Sequence, residues 1–219
     1  MPPLWRDRTE AGHALAHVLQ GWQARRDALL LGLPRGGVAV AAAVADQLQL
    51  QLATWAVRKL THPTAPEYAI GALAPLGVVL WDQEAVRRFS LSPDQQQRLV
   101  ETQLLELERR QQLYGDPSAA SLRGRHLLVI DDGIATGLTV RAALTSLRRT
   151  DPASLVLAVP VVDHRVVPLL QPLVDELVAL AVVDHLRAVG EWFGHFEQLR
   201  DQQVLALLAQ HGRIRADLP

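Results

Sequence analysis

The chain has 219 residues, 49% hydrophobic and 21% charged, with 22 Lys and Arg against 23 Asp and Glu and a net charge of -1. These ordinary globular fractions exclude wholesale disorder and collagen-like or low-complexity chains, and at ~150 residues per domain the length allows one large domain or two small ones. A near-neutral chain has no global field to draw in nucleic acid or an acidic membrane, and without Cys it cannot form disulfides, iron–sulfur clusters or thiolate zinc sites.

The opening Met1 to Arg8 is charged and has no apolar core, so it does not read as a signal peptide. The apolar residues Ala11, Leu15, Val18, Leu19 and Trp22 predict a helix over Thr9 to Arg26, with Asp7 and Glu10 resembling a capping box at its start. Ala28 to Leu33 is a continuous apolar run, the pattern of a strand buried on both faces. Pro34-Arg35-Gly36-Gly37 breaks it, and Val38 to Leu48 reads as an Ala-rich helix. A second strand is predicted over Leu52 to Val57, ending at Arg58-Lys59, with a polar loop over Leu60 to Pro66. Two short strands fit Ala69 to Trp81, around Pro75-Leu76-Gly77. The uncharged stretch there is too short and too broken to span a bilayer, which needs ~20 residues, and a cytoplasmic protein is expected.

Pro93 to Tyr114 is the longest predicted helix, started by Ser92 at its N-cap, and Gly115 to Gly124 reads as a loop. His126 to Ile130 is a third buried strand, and Leu138 to Arg149 a helix. Leu155 to Val162 and Leu177 to Val183 are further buried strands, with a helix over Arg165 to Leu173 between them and a terminal helix over Asp201 to Gln210. Strands apolar on both faces and alternating with helices imply an α/β fold, a parallel sheet covered by helices on both sides. No linker or composition shift divides the chain, so residues 1–219 read as one domain with a helical insertion at about 83–114. Ligands in such folds bind beyond the carboxyl ends of the strands.

Three loops at those ends carry unusual chemistry. In Ile130-Asp131-Asp132-Gly133-Ile134-Ala135-Thr136-Gly137-Leu138-Thr139, two adjacent acids end a buried strand and need hydroxyl, metal or cationic partners. The small, hydroxylated residues after them open a helix, so backbone N–H groups with Thr136 and Thr139 form an anion cradle. Acids beside a phosphate cradle suit a ribose 5-phosphate. In the second loop, Gly36 and Gly37 allow close backbone approach, and Arg35 stands before a helix N-terminus. In the third, Arg58 and Lys59 face one cleft as adjacent cations that need an anion between them. Lys59 is the only Lys among the 22 basic residues.

The acidic segment resembles the phosphoribosyl-pyrophosphate (PRPP) motif of type I phosphoribosyltransferases, departing from it at Gly133, where the family has an aliphatic residue. Together with Arg6-Asp7-Arg8-x-x-Ala11-Gly12, Leu33 to Gly37, Arg58-Lys59, Pro66-Glu67, Leu122 to Arg125 and Gly190-x-Trp192, it resembles a bacterial family of predicted phosphoribosyltransferases over most of the chain. The resemblance implies a Rossmann-like sheet of that type and a small C-terminal hood at about 184–219. It implies that Asp131 and Asp132 bind the ribose hydroxyls, with Mg²⁺ carried by PRPP, and that Ala135, Thr136, Gly137, Leu138 and Thr139 bind the 5-phosphate. Arg35, Gly36, Gly37, Arg58 and Lys59 are then pyrophosphate contacts, and the loop after Lys59 closes over the site. The implied reaction is salvage-type transfer of the 5-phosphoribosyl group to a nitrogenous base with release of pyrophosphate, in a homodimer.

The acceptor is open. The family's 6-oxopurine enzymes carry an Asp where this chain has Ala135, which argues against simple hypoxanthine or guanine salvage. Glu67 is either a general acid or base near the acceptor or a solvated carboxylate, and Trp192 either stacks on the base or plugs the core or a dimer interface. The alternative function is a regulatory protein that senses PRPP or a nucleotide without turnover. It needs a basic face such as Arg25-Arg26, Arg109-Arg110 or Arg148-Arg149, and the net charge argues against strong nucleic-acid binding. His13, His17, His126, His164 and His211 show no metal-ligand spacing.

Overall fold

The structure is a computed structural model describing residues 3–62 and 64–211, apart from the side chains of Pro66 and Glu67. Helix α1 (Arg8–Val18) starts on Asp7, whose carboxylate accepts the Glu10 N–H. It ends earlier than the apolar spacing predicts. Gly21 lowers the tendency to continue, and a single 3₁₀ turn at Gln20–Trp22 leads the chain toward the sheet. Strand β1 (Ala28–Gly32), fully buried, is followed by α2 (Gly36–Leu48) and β2 (Gln51–Thr54). Here the structure corrects the predicted strand over Leu52 to Val57. The Asp116 carboxylate accepts Thr54 Oγ1–H (2.5 Å) and Ala56 N–H (2.6 Å), which ends the ladder of β2 and turns the chain out of the sheet.

Arg58 therefore does not end β2 but opens β3 (Arg58–His62), paired antiparallel with β4 (Ala65–Ala74), which in turn pairs with β5 (Val78–Trp81). The predicted polar loop over Leu60 to Pro66 is largely the hairpin of this second sheet. Leu60 alternates inward and is fully buried with Ile70 and Leu107. Helices α3 (Gln83–Arg88) and α4 (Pro93–Tyr114) follow, the latter with the capping box of Ser92 and Gln95. They pack on the small sheet, Ala85 and Leu107 lying in one cluster with Leu60 and Ile70. The predicted loop over Gly115 to Gly124 contains one helical turn, α5 (Ala119–Leu122), capped by Ser118.

The chain then returns to the main sheet as β6 (His126–Ile130), α6 (Leu138–Arg148), β7 (Ser154–Asp163), α7 (Val167–Leu170) and β8 (Glu176–Val183). Pro168 and Pro172 remove N–H donors, so the helix predicted over Arg165 to Leu173 is only α7 and a 3₁₀ turn at Gln171–Leu173. Helix α8 (Asp201–Gln210) ends the described chain. The main sheet is parallel throughout, in the order β2-β1-β6-β7-β8. Alternate residues feed two cores. Leu29, Leu31, Val129 and Leu157 pack with Val140 and Leu144 of α6. Leu30, Leu128, Ile130 and Val156 pack with Leu15, Val40, Val44, Val204 and Leu208 of α1, α2 and α8. Fully burying each such side chain stabilises the fold by about 1.5–3 kcal/mol. The carboxyl ends of β1 and β6 lie side by side, with Gly32 registered against Ile130.

Two outcomes test this packing. A Cβ on Gly12 of α1 would lie 2.6 Å from both the Val40 carbonyl oxygen and Ala43 Cβ of α2. Gly12→Ala should therefore lower the urea unfolding free energy by about 1–3 kcal/mol. Burial pushes the Asp116 carboxyl up to about 6, against the hydrogen bonds from Thr54 and Ala56 that favour its charged form. The folded state thus holds this proton more tightly than the unfolded chain. The stability it contributes is complete below the ordinary carboxyl range and is lost as pH rises through about 6. Asp116→Asn should gain thermal stability relative to wild type as the buffer is taken from pH 4 to 7; a constant difference would contradict this.

Candidate functional site

The loop after β1 crosses to β6, where Leu33 N–H donates to the Ile130 carbonyl at 2.9 Å. The Pro34–Arg35 peptide is cis. Gly36 and Gly37 then lie directly against the acids. A Cβ on Gly36 would overlap the Asp132 carboxylate, and one on Gly37 would stand 2.6 Å from the Ile130 carbonyl oxygen and 2.9 Å from Asp131 Cα. The sequence reading of close backbone approach thus has a concrete cause. Helices α1, α3, α4 and α5 carry side-chain caps from Asp7, Asp82, Ser92 and Ser118, whereas, like α7 and α8 elsewhere, α2 and α6, which start at this edge, carry none. Their first N–H groups are left for an anion.

Asp131 and Asp132 leave the end of β6 with Asp132 N–H donating to Asp131 Oδ1 at 2.9 Å. Arg8 Nε donates to Asp132 Oδ2 at 2.8 Å. Burial raises the pKa of both acids. For Asp131 the charge of Asp132 adds to it, while Lys59 and Arg8 oppose it. The pair is therefore a desolvated anion site short of positive charge. At Gly133, where the family pattern has an aliphatic residue, an added Cβ would meet Val189 Cγ1 at 2.5 Å, so Val189 fills that volume from outside the motif. Ile134 bridges to Val162 and fixes the loop against β7. Gly137 starts α6 at φ 71° with its Cβ position taken by Val166, so glycine is required there twice over. Thr136 is exposed and Thr139 half-buried, both on the segment that opens α6, with Leu138 buried beneath.

The expectation that Arg58 and Lys59 face one cleft is corrected. Neighbours on β3 point to opposite sides. Lys59 is exposed and close enough to the acid pair for its charge to favour their ionised forms. Arg58 instead donates from Nε to Gln103 Oε1 of α4 at 3.0 Å. Burial, with Arg110, Arg109 and Arg35 nearby, holds its pKa down. Arg35 is turned toward α8, 3.7 Å from Asp201 Oδ1, which also accepts the Tyr114 hydroxyl at 2.6 Å. Asp201 meets Arg109 at 3.3 Å as well.

Trp192 and Ala135 both pack against one apolar cluster that contains Trp5, Val161, Leu186 and Phe193. Trp192 is half-buried, and its carbonyl accepts the N–H groups of Leu4 and Trp5. The backbone of Glu67 lies in β4, and its side chain is outside the described residues. Sequence reasoning assigned no role to Arg8, Asp116 or Asp163. Asp163 is fully buried at the end of β7, and Arg165, hydrogen-bonded to both its oxygens (2.8 and 2.6 Å), holds its pKa well down. Arg8 falls in the Arg6-Asp7-Arg8 stretch that carries part of the family resemblance, whereas Asp116 and Asp163 show in the sequence only as charged residues beside apolar elements. Among the described residues no group of three or more His, Asp or Glu converges as a metal cage, and no helix is long and apolar enough to cross a membrane.

Comparison with known proteins bears on this arrangement. Residues 9–168 match the phosphoribosyl transferase domain family. Two Mycobacterium tuberculosis proteins, MT0597 and Rv0571c, provisionally named phosphoribosyl transferases, are each 38% identical over 206 residues. The match covers 94% of this chain and 46% of theirs, so the chain spans about half the length of these relatives. The protein TT1426 from Thermus thermophilus shares 34% identity and superposes with a TM-score of 0.74, covering 97% of this chain and all of that one. A Neisseria gonorrhoeae protein solved with bound ppGpp shares the fold alone, at 12% identity, a TM-score of 0.50, and coverage of 95% and 97% of the two chains. With the acid pair, the glycine loop and the parallel sheet in agreement, the chain belongs to the type I phosphoribosyltransferase family.

Proposed function

We propose that this chain transfers the 5-phosphoribosyl group of PRPP to a nitrogenous, nucleobase-like acceptor and releases pyrophosphate. The observation that carries the reading is the packing of Gly36 and Gly37 onto Asp131 and Asp132. It joins a desolvated carboxylate pair to two uncapped helix starts at one edge of the sheet. In this reading Asp131 and Asp132 accept the ribose hydroxyls. Backbone N–H groups from Ala135 to Thr139, with the Thr136 and Thr139 hydroxyls, hold the 5-phosphate. The Gly36 and Gly37 amides and Lys59 are assigned to the pyrophosphate, joined by Arg35 once it leaves Asp201, with Arg58 behind them on the α4 side. Asp131 and Asp132 would hold Mg²⁺ that arrives on the substrate's phosphates.

Bond cleavage at C1 of the ribose leaves positive charge on the sugar and adds negative charge to the departing pyrophosphate. Asp131 and Asp132 fix the ring that bears the positive charge. Lys59 and the uncapped amides are assigned to the negative charge as it develops, and Arg35 joins them by leaving Asp201. Bound Mg²⁺ supplies further charge neutralisation on the leaving group. Trp192 and Ala135 offer an apolar wall for a planar acceptor, and Glu67 is assigned to proton transfer at its nitrogen. The reading carries with it a homodimer and a cytoplasmic setting.

The test is incubation with PRPP, Mg²⁺ and a panel of nitrogenous bases, following pyrophosphate. Base-dependent release is expected. Tight PRPP binding with no release for any base would replace the enzyme with a sensor. Lys59→Ala should lower turnover on the order of 10- to 100-fold, with an unchanged thermal midpoint because Lys59 is exposed. A wild-type rate would remove Lys59 from the site.

A further inference from the structure

We propose that Arg8 is a positioning residue that couples the hood to Asp132, holding the ribose-binding carboxylate in place through the segment Phe193 to Glu197. The proposal rests on the reading of Asp131 and Asp132 as ribose ligands. Arg8 lies just before the region matched by the family, and its hood partners lie beyond it.

The guanidinium makes contacts in three directions. Its Nε donates to Asp132 Oδ2 at 2.8 Å, and a terminal nitrogen donates to the Glu197 carbonyl at 3.0 Å. Its central carbon stands 3.7 Å from the centre of the Phe196 ring. The Arg8 side chain is 12% exposed and that of Asp132 15%, so this is a largely desolvated ion pair and not a surface one. A planar group with edge donors and a stacking face can do all three at once, and an ammonium cannot.

From Phe196 the contact continues into the hood. Phe196 stacks on Phe193 with centroids 4.9 Å apart, and Phe193 lies 5.6 Å from Trp5. Gly194 N–H donates to the Trp5 carbonyl (2.8 Å) and His195 N–H to the Arg6 carbonyl (2.7 Å). An unbroken line of packed groups thus runs from Trp5 through Phe193, Phe196 and Arg8 to Asp132. A Cβ on Gly36 would stand 3.1 Å from Arg8 Nε, so the glycine loop also leaves the room in which Arg8 reaches the acid. Arg8 takes Oδ2 and leaves Oδ1 for a ribose hydroxyl. A carboxylate held at one oxygen is preorganised for the substrate, and one released from Arg8 must be reoriented at each binding event.

The experiment compares wild type with Arg8→Met, Arg8→Lys and Phe196→Leu by calorimetric binding of PRPP with Mg²⁺, steady-state kinetics, tryptophan fluorescence and thermal midpoint. Arg8→Met should weaken PRPP binding and raise its KM roughly 10- to 100-fold, with kcat moving less. Arg8→Lys should recover part of the loss. Phe196→Leu, which does not touch Asp132, should shift the PRPP KM in the same direction. PRPP should change the tryptophan fluorescence of wild type, and Arg8→Met should lose that change. A wild-type PRPP KM in Arg8→Met, or a fall in kcat alone, would overturn the proposal. Should Arg8→Met not fold, normal PRPP KM values in Arg8→Lys and Phe196→Leu would overturn it instead. Failure of the wild type to bind PRPP would overturn the ribose-site reading itself, and this proposal with it.

Discussion

Two carboxylates at the end of a buried strand, packed against a backbone that leaves no room for a Cβ, set the terms for the structure around them. Asp131 and Asp132 are desolvated and repel each other, so the surroundings must supply positive charge or donors. The supply comes from three separate parts of the chain. Arg8 bonds Asp132 from the start of α1. Lys59 lends its charge from β3 in the second sheet. Gly36 and Gly37 bring the start of α2 onto the acids because they carry no side chain. The register of β1 against β6 places these ends together, and the two cores on either face of the sheet fix that register.

The same constraint explains why the basic pair is divided. A strand sends neighbouring side chains to opposite faces, so Arg58 and Lys59 cannot both point at one anion. Lys59, on the other face, lends its charge to the acids. Arg58 joins Gln103 in a cluster where Arg35, Arg109 and Arg110 are offset by Glu106 and Asp201. The Asp116 contacts make this division possible, since they end β2 at Thr54 and let Arg58 open a new strand. Had β2 run on to Lys59, its side chain would follow the alternation of the main sheet.

The main sheet was legible because its strands are continuous apolar runs, and burial on both faces requires that pattern. Asp131-Asp132 and Gly36-Gly37 were legible for the opposite reason. Adjacent acids after such a strand, and paired glycines before a helix, have no local structural purpose. The lone Lys59 was a compositional pointer, and its charge favours the ionised forms of the acid pair. The second sheet was hidden because its residues read as polar and Pro-rich, and pairing with β4 depends on Leu60 and Ile70 meeting α4 far along the chain. The contacts of Arg8 and Asp116 were hidden because their partners are distant in sequence, at Asp132 and Thr54, and no local pattern encodes such a contact. The filling of the Gly133 position by Val189 is of the same kind.

The most direct test of this dependence on close packing is the affinity of Gly36→Ala for PRPP with Mg²⁺, measured by calorimetry beside wild type. The added methyl group must displace the Asp132 carboxylate, while the sheet and both cores are untouched. A native far-ultraviolet spectrum is expected, with PRPP affinity reduced by roughly 10-fold or more. Wild-type affinity in a folded Gly36→Ala protein would contradict the central role given to the packing of the glycine loop on the acid pair.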